Sequence, residues 1–236
     1  MRVDGRKFDE LRKIEIQPNY MLYAEGSALI TWGNNKIVCT ASWEPKVPFW
    51  LKDSGRGWVT AEYSMLPRSS PQRITRDIVK GTQASRGVEI QRLIGRAIRS
   101  VIDLEALANN SITIDCDVIQ ADGGTRCASI VGGFVALVLA LRSINIKKIP
   151  VKDYLGAVSV GIIDRNLALD LCYDEDYRAF ADINVVADGS GNLAEVQATA
   201  ENGTFKPDDF ANLLDLAKTG IAQIIEIEKT VLGALQ

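Results

Sequence analysis

The segment from Asp117 to Arg126, DVIQADGGTR, decides the fold, because an alternating strand runs directly into a glycine turn and then into an apolar helix. Residues 112–119 alternate between apolar and polar, which predicts a strand, and the apolar run from Cys127 to Leu141 predicts a buried helix. Gly123 and Gly124 permit positive φ and close backbone approach. The first amides of the helix are unpaired and lie at the positive end of its dipole, so the turn predicts an anion site.

Two side chains after the glycines strengthen the prediction of a phosphate site. Thr125 offers a hydroxyl donor, and Arg126 offers a planar charged group that can bind two phosphate oxygens at once. Tight strand-to-helix turns are common, however, and their arginines are often only surface charges. The turn by itself leaves both interpretations open.

Composition limits the chemistry that this chain can perform. The 236 residues, of which 47% are hydrophobic, can bury a large core as one domain or two lobes. The chain contains no histidine, which excludes Ser-His and Cys-His nucleophiles and leaves carboxylates, arginines, lysines, hydroxyls or a bound ion. The four cysteines lack CxxC spacing and are predicted to be small core residues. With no expected membrane-spanning run and no signal peptide, we expect a cytoplasmic protein.

Positive charge is concentrated in one segment, although the net charge is -3. Residues 68–85 are predicted to form a mobile polar loop, and apolar residues at helical spacing from Arg86 onward predict an amphipathic helix. Such local charge favours a phosphate-bearing partner, with a solvated, salt-bridged helix face as the alternative for Arg92 and Arg99. Arg86 is electrostatically misplaced at a helix start unless it faces an anion. The cationic residues of the segment are Arg68, Arg73, Arg76, Lys80, Arg86, Arg92, Arg96 and Arg99.

An acidic cluster lies in the second half of the chain, where residues 170–182 read DLCYDEDYRAFAD. Its carboxylates are Asp170, Asp174, Glu175, Asp176 and Asp182. Their mutual repulsion is relieved by solvent exposure, by protonation or by a divalent cation. Because Asp182 begins an apolar strand, its burial without a partner would be costly, which favours a metal or a catalytic role. Acid beside phosphate-binding arginines suits phosphoryl transfer.

A weak internal repeat predicts an α+β fold with two related lobes. Residues 26–41 and 156–171 both read as hairpins, and a VQA or IQA stretch in each half precedes a Gly-Thr pair and a helix. We therefore predict an N-terminal lobe over residues 1–150 and a C-terminal lobe over residues 151–236, joined near residues 147–153. Chance similarity between short strands is the alternative.

Long strings of the sequence resemble the ribonuclease PH family of bacterial phosphorolytic 3′ exoribonucleases, nearly from end to end. The matching strings are RxDGR from Arg2, AEGS from Ala24, GWVTAEYSMLPRS from Gly57, EIQRLIGR from Glu89, TIDCDVIQADGGTR from Thr113, SVGI from Ser159 and DINVV from Asp182.

The resemblance implies a fold, a reaction and a set of site residues. The implied fold is two β-α lobes of the ribosomal protein S5 domain 2 type, assembled as a homohexamer of three dimers. The implied reaction is attack by inorganic phosphate on the last bond of a tRNA precursor or other RNA, with Mg2+ assistance and release of a nucleoside diphosphate. Neither a membrane nor DNA is expected as a partner. The implied residues are Arg86, Gly124, Thr125 and Arg126 for phosphate, Asp176 and Asp182 for catalysis and metal, and Arg68, Arg73 and Arg76 for RNA.

The sequence departs from the family's pattern at a few positions. Cys172 stands where an aspartate is common, which lowers the charge of the acidic site, and Ser85 replaces a glycine, which puts the helix start in doubt. Gln72 and Asp77 replace glutamates of the arginine loop.

Two other functions are weighed against phosphorolysis. A hydrolytic nuclease would use the acids with two metals and yield monophosphates. A non-catalytic ring subunit would bind RNA without cleaving it. The sequence also leaves open how Asp176 and Asp182 divide the roles of acid and metal ligand.

Overall fold

The computed structural model describes residues 2–76, 79, 81, 85–144, 146, 149–201 and 203–235. Within those ranges the strands are β1 (Ile14–Pro18), β2 (Gly26–Trp32), β3 (Asn35–Glu44), β4 (Trp58–Met65), β5 (Ser111–Gln120), β6 (Leu155–Ile163), β7 (Asn166–Leu169), β8 (Ala181–Asp188) and β9 (Leu193–Ala200). The helices are α1 (Ser85–Ser100), α2 (Thr125–Ser143), α3 (Tyr173–Asp176) and α4 (Pro207–Leu232), with a 3-10 turn at Phe49–Leu51. The predicted α+β class is confirmed.

The first sheet has the strand order β1-β2-β3-β5-β4 and carries α1 and α2 on one face. Strand β5 lies between β3, its antiparallel neighbour, and β4, its parallel neighbour. The predicted alternation holds, since Ile112, Ile114 and Cys116 are buried while Asp117 is exposed. This register places the ends of β4 and β5 side by side, just before the glycine turn.

The second sheet is antiparallel, with the order β7-β6-β8-β9, and α4 packs against it. Every residue of β6 is buried, because α2 and α4 both pack against this strand. A strand enclosed in this way must be apolar on both faces, as LGAVSVGII is. Helix α2 therefore lies between the two sheets.

The sequence analysis predicted that no run could span a membrane. Judged by length and composition alone, that prediction is wrong. Within the described residues, the 19-residue helix Thr125–Ser143 has a mean hydropathy of 1.5, which is sufficient for a span. Its best window is 83% buried inside the protein, and a helix that is apolar all round is also typical of a domain centre. Helix α2 is the core helix of this fold.

Buried apolar residues of both sheets form one continuous core around α2. An isolated bridge between Ile102 and Val151 also joins the halves of the chain. The division into lobes at residue 150 stays a prediction, and two residues of its proposed junction, 147 and 148, lie outside the described residues. The four cysteines are buried and free, as predicted.

Glu228 is an ionisable group enclosed in this core. It is fully buried on α4, and among the described residues neither of its carboxylate oxygens has a hydrogen-bond partner. Burial raises the pKa of Glu228 well above its ordinary value. Between the ordinary pKa and the raised one, the folded protein therefore holds one more proton than the unfolded chain, and stability falls as the pH rises.

We expect Glu228→Gln to raise the free energy of unfolding, by an amount that grows with pH. In acid, where the side chain is protonated in both states, the substitution should gain nothing from this source. Above the ordinary pKa, the wild type should lose about 1.4 kcal/mol per pH unit relative to the variant, up to the raised pKa. Urea unfolding from about pH 4 to about pH 8 measures this difference. Glu226→Gln, on the exposed face of the same helix, is the control, and a difference independent of pH would contradict the expectation.

Candidate active site

The GGTR turn, residues 123–126, joins β5 to α2 and presses against the segment that leads into α3. Gly123 and Gly124 both have a φ of 72°, a conformation that glycine adopts without strain. A Cβ atom on Gly123 would lie 2.6 Å from the carbonyl carbon of Cys172 and 2.7 Å from the amide nitrogen of Tyr173. This close approach requires glycine. It brings the predicted phosphate site of the first sheet against the acidic segment of the second.

The start of α2 has the local chemistry expected of an anion-binding helix end. Gly124 is the N-cap, and in the described first turn of α2 no side chain is acidic. The positive end of the helix dipole is therefore not offset by the helix itself. The hydroxyl of Thr125 lies 2.9 Å from the hydroxyl of Tyr63, and burial raises the pKa of Tyr63, so this phenol stays neutral and fixes the Thr125 rotamer.

Arg126 lies between α1 and β9, with loose partners on both sides. Its Nη1 donates to Oε1 of Gln197 at 3.1 Å and lies 3.8 Å from Oε1 of Glu89. The side chain is 19% exposed, and a guanidinium carries more donors than these contacts use. Arg126 is thus placed to bind a further anion.

Arg86 is the second residue of α1 (Ser85–Ser100), and Ser85 itself lies within the helix. Its side chain is exposed. Burial raises the pKa of Asp176, and the positive charges of Arg86 and then Arg126 offset part of that rise. Both predicted phosphate-binding arginines therefore lie near enough to Asp176 for their charge to act on its carboxyl group.

Asp176 and Asp182 come together from different elements. Asp176 ends the single turn of α3, and Asp182 lies on β8 opposite Gly161 of β6 and Thr199 of β9. Both side chains are half-buried. Burial is the main reason that the pKa of each is raised, and the charge of Asp176 raises the pKa of Asp182 further. Two such acids do not ionise independently, and they hold a proton more readily than exposed aspartates do.

The other three carboxylates of the acidic cluster have different surroundings. Asp170 is buried against Arg12, with 2.6 Å between Oδ1 and Nη2. Glu175 is buried against Arg2, also at 2.6 Å. Asp174 is exposed on α3. The structure therefore separates the cluster into two structural acids, one surface acid and the pair Asp176 and Asp182.

The acid pair fits a divalent cation held jointly by protein and substrate. Mg2+ is commonly bound by one or two carboxylates together with substrate phosphates. Among the described residues, no group of three or more Cys, Asp or Glu side chains could hold a metal by itself. Cys172, at the position where an aspartate was expected, is buried at the N-cap of α3, where its amide donates to Glu175 Oε2 at 3.1 Å. The charge that an aspartate would carry at this position is therefore absent from the N-cap of α3.

The arginine loop begins beside the GGTR turn. The amide of Ala121 donates to the carbonyl of Ser69 at 2.8 Å, which ties the start of the loop to the end of β5. Arg68, Arg73 and Arg76 are all exposed. Residues 77, 78, 80 and 82–84 of the predicted mobile loop, including Asp77 and Lys80, lie outside the described residues. The structure leaves the RNA-binding role of the three arginines a prediction.

Sequence reasoning missed several residues that shape this site. Arg2 and Arg12 bind the structural acids, Tyr63 contacts Thr125, and Gln197 contacts Arg126. Negative charge on Glu201 also raises the pKa of Asp176 and of Asp182. Arg2, Tyr63 and Gln197 carried a signal, as parts of the RxDGR string, the GWVTAEYSMLPRS string and the VQA repeat. The others become visible only when the two sheets are brought together.

Two family models match the chain. The description "3' exoribonuclease family, domain 1" matches residues 10–143, and "3' exoribonuclease family, domain 2" matches residues 153–220. Ribonuclease PH of Bacillus pumilus is 53% identical over 238 residues, with 99% of this chain and 98% of the relative covered. Ribonuclease PH of Listeria welshimeri is 51% identical, with coverages of 99% and 96%.

Solved structures share the same fold at lower identity. Rice Rrp46 is similar with a TM-score of 0.81 and 17% identity, over 98% of this chain and all of the other. A chain of the Archaeoglobus fulgidus exosome, solved with RNA bound to the active site, has a TM-score of 0.82 and 24% identity, over 95% and 91% of the two chains. At these identities the likeness concerns the fold alone.

Proposed function

Since the chain belongs to the 3′ exoribonuclease family, we propose that Arg86, Gly124, Thr125 and Arg126 hold its attacking phosphate. The protein is a phosphorolytic 3′ exoribonuclease that acts on tRNA precursors and uses inorganic phosphate as co-substrate. The observation that carries the residue assignment is the close approach of the GGTR turn to the segment before α3. It brings an anion-binding helix end and a pair of acids to one place.

The phosphate is bound by positively charged side chains and by hydrogen-bond donors whose directions are fixed. The α2 amides and the Thr125 hydroxyl donate to its oxygens, and Arg126 binds two oxygens through its fork. Arg86 adds charge from α1. Four sources of positive potential hold the anion in line with the last phosphodiester bond, so that positioning and charge stabilisation supply most of the rate.

The reaction requires one bond to form and one to break. A phosphate oxygen attacks the phosphorus of the terminal nucleotide, and the bond from that phosphorus to the 3′ oxygen of the preceding nucleotide breaks. The departing 3′ oxygen needs a proton. We assign this proton to Asp182, because burial and the neighbouring charge of Asp176 both raise its pKa. The products are a nucleoside 5′-diphosphate and an RNA shorter by one nucleotide.

Asp176 would hold Mg2+, while Asp182 keeps its proton for the departing oxygen. When bound, the cation supplies neutralisation of the negative charge on the reacting phosphoryl oxygens. Glu175, bound to Arg2, fixes α3 from its buried side. Asp176, the next residue, thereby stays where the positive charges of Arg86 and Arg126 act on its carboxyl group.

The RNA is held outside this centre by the arginine loop. Exposed Arg68, Arg73 and Arg76 bind backbone phosphates upstream of the last nucleotide, as localised positive charge does in an otherwise acidic protein. We further propose that the chain assembles as a hexamer of three dimers in the cytoplasm. The resemblance to ring-forming relatives supports the assembly.

A single assay tests the proposed reaction. A tRNA with a 3′ extension is incubated with the protein and Mg2+, with inorganic phosphate present or withheld, and the released nucleotides are separated by chromatography. We expect nucleoside diphosphates only when phosphate is present. Release of monophosphates without phosphate would indicate a hydrolytic nuclease, and RNA binding without any release would indicate a non-catalytic subunit.

A further inference from the structure

The side chain of Arg12 lies where the GGTR turn meets the segment that leads into α3. Its guanidinium is 5% exposed and faces Asp170, with Nη2 2.6 Å from Oδ1 and Nε 3.0 Å from Oδ2. The Arg12 amide also donates to Oδ2 at 2.7 Å, and Trp32 Nε1 donates to the same oxygen at 2.9 Å. These contacts fix the plane of the guanidinium.

The remaining donors of Arg12 reach backbone carbonyls on both sides of the site. Nη1 donates to the carbonyl oxygen of Asp122 at 2.5 Å, and Nη2 to that of Gly123 at 3.3 Å. Nη2 also donates to the carbonyl oxygen of Leu171 at 3.1 Å. Asp122 and Gly123 lead into the phosphate site, and Leu171 leads into α3. One planar group therefore bridges the two segments.

Arg2 binds the acidic side of the site, where Arg6 also lies 3.3 Å from Oδ2 of Asp170 and 3.7 Å from Oε2 of Glu175. The Nε and Nη2 of Arg2 donate to the two carboxylate oxygens of Glu175 at 2.8 Å and 2.6 Å. Its Nη1 and Nη2 donate to the carbonyls of Leu169 and Asp170, each at 2.7 Å. Glu175 in turn accepts from the amide of Cys172 and so closes the single turn of α3. Asp176 is the next residue.

A contribution to stability does not by itself account for this arrangement. Desolvation offsets much of the attraction in a buried ion pair, so such pairs are weak evidence for stability. A guanidinium with fixed donor directions instead specifies where its acceptors lie. The acceptors here include the backbone of the GGTR turn region, which follows β5 of the first sheet, and the backbone of residues 169–171, which lead from β7 of the second sheet into α3.

We propose that Arg12 and Arg2 are positioning residues for phosphorolysis. Arg12 sets the separation between the GGTR turn and α3, and Arg2 sets the orientation of α3 and hence of Asp176. This inference rests on the proposed function, because it takes the turn and Asp176 as the reacting machinery.

Two lysine variants test the proposal, since lysine keeps the charge but lacks the fork. We expect Arg2→Lys to lower kcat about 100-fold with the KM for phosphate within about twofold of wild type, because only the acid is displaced. We expect Arg12→Lys to lower kcat by a similar factor and also to raise the KM for phosphate roughly tenfold, because both segments move. Initial rates are measured at saturating RNA with varied phosphate, on protein shown to be folded by near-UV circular dichroism.

Arg56→Lys, an exposed substitution just before the start of β4, is the matched control and should leave both constants unchanged. The proposal is overturned if both lysine variants keep wild-type kcat and KM. It is also overturned if their loss of activity equals the unfolded fraction with KM unchanged, since that pattern marks a structural role only.

Milder variants keep the test decisive if a lysine variant does not fold. Glu175→Gln and Asp170→Asn loosen Arg2 and Arg12 without removing them, and each should lower kcat roughly tenfold, with KM for phosphate raised only in Asp170→Asn. Wild-type constants in both would overturn the proposal. A wild-type protein that releases no nucleoside diphosphate would instead refute the proposed function, before any variant is compared.

Discussion

Replacing Arg126 with alanine should abolish the phosphate-dependent release of nucleoside diphosphates while RNA binding stays largely intact. Among the described residues, the side-chain partners of Arg126 are a loose glutamate and a neutral amide, so its charge is available to the proposed phosphate more than it is needed by the fold. The loss of a two-point charged contact to the attacking group should reduce kcat/KM for phosphate by about 1,000-fold or more. Phosphate-dependent rates and RNA affinity by filter binding measure the two effects.

Two further substitutions sharpen this test. Arg126→Lys keeps a point charge without the fork and should retain part of the activity. Arg56→Ala, at an exposed arginine, should match the wild type. Unchanged turnover in Arg126→Ala would refute the assignment of this arginine to phosphate.

Asp182→Asn should reduce kcat about 1,000-fold or more, because asparagine cannot donate the proton to the departing 3′ oxygen. Asp174→Asn is the matched control, since it removes one exposed carboxylate from α3 beside the site and should leave kcat within about twofold. Steady-state kinetics on a 3′-extended tRNA compares them. Equal losses in the two variants would contradict a specific role for Asp182.

The proposed proton donation by Asp182 also predicts how the rate changes with pH. If Asp182 acts as a protonated acid, the rate falls as the pH rises through its raised pKa. In Asp176→Asn the neighbouring negative charge is absent, so the pKa of Asp182 should be lower. The alkaline fall in the residual rate should then begin at a lower pH than in the wild type. A shift to higher pH would show that Asp182 is not the proton donor.

Local patterns along the sequence were sufficient to predict several elements of the fold. Alternation over residues 112–119 predicted β5, and the apolar run after Arg126 predicted α2, although each element extends a little beyond its predicted ends. The position of Arg86 in the first turn of α1 was also correct. These features depend on neighbours in sequence, which is why periodicity and glycine position reveal them.

The sorting of the acidic cluster could not be predicted in the same way. Asp170 and Glu175 look like Asp176 in sequence, and only their arginine partners more than 150 residues away make them structural acids. A buried arginine such as Arg12 follows no periodic pattern, because its position depends on backbone carbonyls from both halves of the fold. Contacts of this range follow from the packing of the two sheets around α2.

The placement of α2 also bears on how the protein loses activity. The amides proposed to bind phosphate begin a helix whose body is surrounded by both sheets, so these amides do not belong to a loop that opens by itself. Hydrogen exchange from the body of this helix should require the cooperative opening of the whole domain, and the phosphate cradle should therefore persist until global unfolding. Heat inactivation and loss of the native fold would then be a single event.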